Sequence, residues 1–309
     1  MPKVSVGIPV YNGADYVPIA IRSAIAQTFE DIEIIVLDNA STDDTERVCR
    51  EMATTDPRIR YERRPENVGA AANYNGCVER ATGTYFIWLC HDDILAPTYV
   101  EQAVAILESR PDLALCFGGT CMIDEQGKPL RYDPLDNVFI DAQGGRRGGP
   151  APADLATQET PAERFLDVMH RMIRCFHVFG LHRLSVLKQT MMHQPIYGAD
   201  KNFVAELALY GKFYQLPDDL FYKREHAKQS LAIDSAEGRA RWINPNAKRE
   251  LFPHLRLHRL SAQAILRSPI PFGQKLRLLT FVLRQTGLRK IILNPRNWRP
   301  AYLDQKTIG

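Results

Sequence analysis

The first hundred residues alternate between short, almost continuously apolar runs and stretches with helical spacing. VSVGIPV at 4–10, IEIIVL at 32–37, IRYE at 59–62 and YFIWLC at 85–90 read as strands. Between them, residues 14–27 read as a helix that turns Ile19, Ile21 and Ile25 toward a core, and residues 69–81 as another. STDDT at 41–45 offers capping side chains for a third. Strands that are apolar on both faces and separated by helices predict a parallel sheet covered on both sides. Ligands of such sheets bind outside the carboxyl ends of the strands. The polar residues at those ends are Tyr11 and Asn12, Asp38, Asn67, and His91 with Asp92 and Asp93.

After LALCF at 113–117 the pattern loosens. DEQG at 124–127 predicts a hairpin turn, and the Gly-, Pro- and Asp-rich residues 141–157, with Arg146 and Arg147, predict a mobile loop. TPAE at 160–163 is a capping box that starts a helix reaching about Arg174, and another helix is expected over 200–210. KFYQL at 212–216 and LFYKR at 220–224 read as two strands around Pro217. From about Glu237 the chain reads as helical. Leu276, Leu279 and Leu283 form an amphipathic stripe whose commoner meaning is core packing and whose rarer one is an interfacial membrane surface.

Composition adds one thing to this picture. The chain of 309 residues is 45% hydrophobic and 24% charged, ordinary for a globular protein and unlike a disordered or collagenous one. No apolar run reaches membrane-span length, the first strand begins too early to leave room for a signal peptide, and six scattered cysteines fit reduced thiols. A cytoplasmic protein is expected. The net charge of +3 hides an asymmetry, however. Residues 239–309 hold 15 Lys or Arg against 2 Asp or Glu, while the first 238 hold 24 against 34. The basic stretch is either a solvated helical face or a surface for anionic lipid. Nucleic acid is not expected, since no recognition motif accompanies the charge.

The motifs narrow the chemistry. No G-x-G-x-x-G follows the first strand and no P-loop is present, which disfavours hydride transfer and excludes a P-loop NTPase. Asp38 is either a carboxylate that accepts from the ring N–H of a nucleotide base or a loop and capping residue. Asp92 and Asp93 are either caps or a pair that needs a cation, and a hard divalent ion bridging to substrate phosphates would supply it. Asp200 is either a base or the N-cap of its helix, His226 a ligand or a structural histidine, and Arg224 a partner for a phosphate or a surface acid.

Taken together, PVYN at 9–12, LDNASTDDT at 37–45, NVG at 67–69 and the Asp92-Asp93 pair resemble the family 2 inverting glycosyltransferases of the GT-A fold. GAD at 198–200 and YKREHAKQS at 222–230 extend the resemblance to about residue 230. It implies a Rossmann-like mixed sheet flanked by helices, with a C-terminal helical extension. It divides the chain into a nucleotide-sugar half (1–115), an acceptor half (116–236) and a basic extension (237–309). It implies that Pro9, Tyr11, Asn12, Asp38, Asn67, Gly69, Asn73, His91, Asp92 and Arg224 surround the donor, that Asp92 and His226 hold Mn2+ or Mg2+, and that Asp200 is the base. The donor would be a UDP-, GDP- or dTDP-sugar, and the acceptor a carbohydrate or a lipid-linked glycan in cell-envelope assembly. A place on the inner face of the membrane would follow from residues 239–309. Two positions depart from the family pattern: Cys90 stands where many members carry an acid, with His91 as the expected substitute, and Ala199 precedes Asp200. Gly238 stands where processive members have glutamine, so transfer is expected to be non-processive. A degenerate nucleotide-sugar-binding protein and a nucleotidyltransferase are the alternatives.

Overall fold

The four apolar runs become neighbouring parallel strands: β1 (Val4–Val10), β2 (Ile32–Asp38), β3 (Ile59–Arg63) and β4 (Tyr85–Trp88), in the order β3-β2-β1-β4. The structure is a computed structural model that describes residues 2–286 apart from 142, 150–151, 230–232, 234 and 248–252. Helices α1 (Val17–Ile25), α2 (Thr45–Ala53) and α3 (Ala70–Arg80) connect these strands. The two-residue period of each strand sorts its side chains. Ile34, Val36 and Ile87 join one core with Val17 and Ile21 of α1, and Ile35, Leu37, Phe86 and Trp88 join the other with Cys77 and Val78 of α3. On β1 the second face is made of small residues. A Cβ at Gly7 would lie 2.6 Å from the Phe86 ring and 2.7 Å from Cys77, so only glycine lets both close in.

The second half adds β5 (Ile94–Leu95), α4 (Tyr99–Ser109), β6 (Leu113–Ile123), β7 (Arg131–Asp133), β8 (Val138–Ile140), β9 (Arg146–Gly148) and α5 (Pro161–Arg171). After a 3-10 turn at Phe176–Phe179 come β10 (Leu181–Arg183), α6 (Leu184–Leu187), α7 (Asp200–Leu207), β11 (Lys212–Arg224), α8 (Ala236–Ile243), α9 (Pro253–Arg267) and α10 (Phe272–Gln285). The main sheet has eight strands in the order β3-β2-β1-β4-β10-β6-β11-β5. It is mixed, because β10 runs antiparallel to both β4 and β6.

Three expectations change. The two strands foreseen around Pro217 are one strand, β11, whose register against β6 shifts between Gln215 and Asp219 and again before Phe221. An irregularity is where a sheet tolerates proline. The segment 141–157, expected as a mobile loop, contains β9, which closes a small sheet of order β7-β8-β9, and its Leu155 and Ala156 are fully buried. The leucine stripe near the C-terminus divides: Leu279 packs on the core, whereas Leu276 and Leu283 are 57% and 65% exposed. The inner face of α10 is made instead by Leu278 and Val282. The turn at 124–127 and the capping box at Thr160 form as expected. Among the described residues no helix is long and apolar enough to cross a membrane. The last part of the basic extension, 287–309, lies outside the described residues.

Candidate functional site

Three loops meet at the carboxyl ends of β1, β2 and β4. Asn12 takes a left-handed conformation, φ 49°. Its amide donates to Ser41 Oγ at 2.9 Å and its side-chain oxygen accepts from the Thr42 amide at 2.8 Å. Gly13 donates to Thr45 Oγ1 at 2.9 Å. A Cβ on Gly13 would lie 2.4 Å from the His91 ring, so glycine brings the β1 loop against the β4 loop. Tyr11 is 41% exposed, with its ring open to a ligand at this edge.

Asp38 was read either as a reader of the base edge or as a loop and capping residue. It is fully buried; Oδ1 accepts from the Ser41 amide and hydroxyl, and Oδ2 from the Tyr61 hydroxyl at 2.7 Å, with Arg63 3.7 Å away. Both oxygens hold the protein's own loop, which is the alternative the sequence left open. Asn73 likewise joins Leu37 O to Arg64. Asn67 accepts from Asn39 and from the Gly69 amide. Gly69, at φ +87°, lies so close to Ile243 O that a Cβ would come to 2.5 Å. These residues brace the loops at this edge of the sheet.

The centre of the site lies just past β4. Asp92 Oδ2 sits 2.9 Å from His226 Nε2, a contact between residues 134 apart in sequence. Tyr16 packs on the His226 ring at 4.8 Å between centroids. Asp93 Oδ1 accepts from Lys223 Nζ at 3.1 Å and from the Arg224 amide at 2.9 Å, while its buried Oδ2 has no partner among the described residues. Burial alone would raise the pKa of Asp92, but Lys223, His91 and His226 outweigh it and hold the carboxyl well below the usual range. For Asp93, burial and the charge of Asp92 prevail over Lys223 and push the carboxyl up. Burial lowers the pKa of His91 and favours its neutral form.

Arg224 was expected beside a phosphate. It is 1% exposed, and its guanidinium donates to the carbonyls of Asp92, Asp124 and Glu125 at 2.9, 3.0 and 2.8 Å. It is a clamp that fixes the Asp92 loop to the 124–127 turn. Cys90 faces Tyr74, with the hydroxyl 2.9 Å from Sγ, and burial raises its thiol pKa well above the ordinary value.

Asp200 opens α7 with its side chain 48% exposed, and its Oδ1 lies 3.4 Å from His193 Nδ1. Asn75 holds the backbone of His193 through both its N–H and its C=O. The ring is surrounded by Tyr74, Trp88 and Phe203 at 5.3, 5.0 and 4.7 Å. The contact chain Asp200, His193, Tyr74, Cys90 thus runs from the start of α7 to the β4 edge. Sequence reasoning missed Tyr74, His193 and Lys223. Nothing in their spacing marks them, because their partners lie on other elements.

The donor set suits a divalent ion. Ligand atoms of Cys90, Asp92 and Asp93 lie within 4.8 Å of one another, His226 stands against Asp92, and Asp93 Oδ2 is buried without a partner among the described residues. An ionised carboxylate beside a histidine matches what such ions accept.

Comparisons with known proteins bear on the fold and the family. An uncharacterized glycosyltransferase of Rickettsia felis is 43% identical over 139 residues, which is 45% of this chain and 23% of that protein. The chondroitin synthase of Escherichia coli is 37% identical over 128 residues, 41% of this chain and 18% of that protein. The chain therefore matches about a quarter or less of the length of these relatives. Among solved structures, S. aureus TarS 1-349 in complex with UDP-GlcNAc superposes with a TM-score of 0.61 at 17% identity, over 92% of this chain and 72% of that one. The mannosyltransferase PcManGT of Pyrobaculum calidifontis, in complex with GDP-Man and Mn2+, gives 0.50 at 16% identity, over 95% and 81%. These structures share the GT-A fold, as expected. The sequence model of glycosyl transferase family 2 matches residues 5–175, more than half the chain, and the protein belongs to that family.

Proposed function

We propose that the protein is a metal-dependent, inverting and non-processive glycosyltransferase that moves a sugar from a nucleoside-diphosphate sugar to an acceptor hydroxyl. The observation that carries this proposal is the meeting of Asp92 and His226 beside the open Tyr11 edge of the sheet. Family membership supports transfer chemistry, and the complexes of TarS with UDP-GlcNAc and of PcManGT with GDP-Man support a nucleotide-sugar donor. The name of the E. coli relative supports polysaccharide assembly as the setting.

Asp92 and His226 would hold the divalent ion, which supplies Lewis-acid neutralisation of the departing diphosphate. Tyr11 and Asn12 border the base, and Asp38, Asn67, Gly69 and Asn73 fix the wall behind it. Lys223 and Arg224 hold the Asp92 loop in one geometry, so little reorganisation accompanies charge development. Asp200 accepts the acceptor hydroxyl's proton, and His193 orients its carboxylate. Attack opposite the leaving group inverts the anomeric configuration.

Calorimetric titration with UDP-, GDP- and dTDP-sugars, with and without Mn2+, tests the donor and the metal together. One of these donors should bind only with metal and be consumed when an acceptor is added. Metal-independent binding would refute the metal centre. Metal-dependent binding without turnover across a broad acceptor panel would leave a binding protein.

A further inference from the structure

The outer face of α10 has no partner among the described residues. Phe272, Leu276 and Leu283 are 80%, 57% and 65% exposed. At 3.6 residues per turn they point within about 40° of one another, so they form a single stripe. Leu266, at the end of α9, adds a fourth exposed side chain at 58%. Isolated exposed leucines are ordinary, but an aligned stripe capped by phenylalanine is an interaction surface.

The charge beside the stripe names the partner. Residues 253–286 contain six Lys or Arg, among them Lys275, Arg277 and Arg284 on α10, and no Asp or Glu. Arg277 and Arg284 line a groove of about 530 Å³ between α10 and His170 and Leu166 of α5. Residues 287–309 are a poor cover for this face, because they add Arg289, Lys290, Arg296, Arg299 and Lys306 against Asp304 alone. A second copy docked through the same face would set cations against cations. An apolar stripe flanked by cations is the pattern of a helix lying in the headgroup region of an anionic bilayer.

We propose that α9 and α10 dock the protein on an anionic lipid surface, with Phe272, Leu276 and Leu283 inserted and Arg277 and Arg284 on lipid phosphates. The first 238 residues, with 34 acidic against 24 basic side chains, are repelled by the same surface, so only one orientation is favoured. The docking helix α9 packs on α7, whose first residue is Asp200. This goes beyond transfer chemistry and does not depend on it.

Flotation of the full chain with phosphatidylcholine vesicles, with and without phosphatidylglycerol, tests the inference. Binding should require phosphatidylglycerol and fall as salt rises. Each cation at such a surface contributes about fivefold in affinity, so Arg277→Glu with Arg284→Glu should weaken binding at least ~25-fold. The triple change Phe272→Ser, Leu276→Ser, Leu283→Ser should weaken it at least ~10-fold while leaving the unfolding midpoint within a few degrees, since all three sites are exposed. Equal binding to both vesicles, binding to neither, or full binding by both variants would overturn the docking surface. So would a dimer in sedimentation that the same substitutions abolish. Because no sugar is present in these measurements, failure of the transferase proposal leaves this one standing, and the reverse.

Discussion

Past β4, Asp92 and Asp93 are buried among Lys223, His226 and the backbone of β11, whereas α7 carries one nearly half-exposed carboxyl, Asp200, and one buried one, Glu206. The first region compensates its charge from several elements and holds it still. The second leaves Asp200 reachable, with His193 as its orienting contact, and buries Glu206 with Oε1 unpartnered and only the Met191 amide on Oε2. Burial pushes the Glu206 carboxyl up to about 7, against that amide and Arg267. The contrast separates two demands on a carboxylate. One that would hold a cation against developing negative charge works best preorganised and water-excluded, while one that takes a proton from an incoming hydroxyl must stay accessible.

The sharpest test is to remove charge from the fixed centre. Asp92→Ala should abolish metal-dependent donor binding in calorimetry and with it all measurable turnover; near-normal affinity would end the contrast. At Asp200, Asn should leave the donor dissociation constant unchanged and lower kcat ~10²–10⁴-fold. A loss of donor binding there would place both carboxylates in one site. His193→Phe preserves the aromatic packing but removes the Nδ1 contact, so kcat should fall ~10-fold or more with KM for donor unchanged, and His193→Gln should restore part of it.

The remaining tests concern stability. Arg224→Met strips donors from three carbonyls and should cost about 3 kcal/mol in chemical denaturation, well above the cost of an exposed arginine. Glu206→Gln should act in the opposite direction. A carboxyl that ionises less readily when folded makes folding take up a proton. Its penalty is absent below its ordinary value of 4.5 and grows as pH rises toward about 7. The glutamine variant should therefore match the parent at pH 4 and exceed it at pH 8 by on the order of 2 kcal/mol. Equal stability at both pH values would show that Glu206 ionises freely.

Strands β1, β2 and β4 were legible because each is buried on both faces and is followed by polar residues, and the edge strand β3 by its place in the alternation of strands and helices. β10 was not, since three residues with His182 and Arg183 carry no period, and its place between β4 and β6 is set only by tertiary pairing. β11 was split in two by Pro217, a residue that breaks strands unless a bulge receives it. At the site, the pairing of Asp92 with His226 was visible only through family resemblance, because 134 residues separate them. Asp38 and Arg224 were each left with two readings, because nothing in sequence shows that their partners are the chain's own carbonyls, amides and hydroxyls. The stripe on α10 was visible as a pattern, but only packing could tell which leucines face in.

β11 lies between β6 and β5, although it follows β6 in the chain by about ninety residues and β5 by more. During synthesis, β6 must therefore wait with an open edge for its partner to emerge, roughly 5–20 s at ordinary elongation rates. Both the lysine that neutralises Asp93 and the histidine that meets Asp92 arrive with that strand or just after it. The nascent chain thus carries an uncompensated acidic pair, and the site and the sheet are completed together by one late strand.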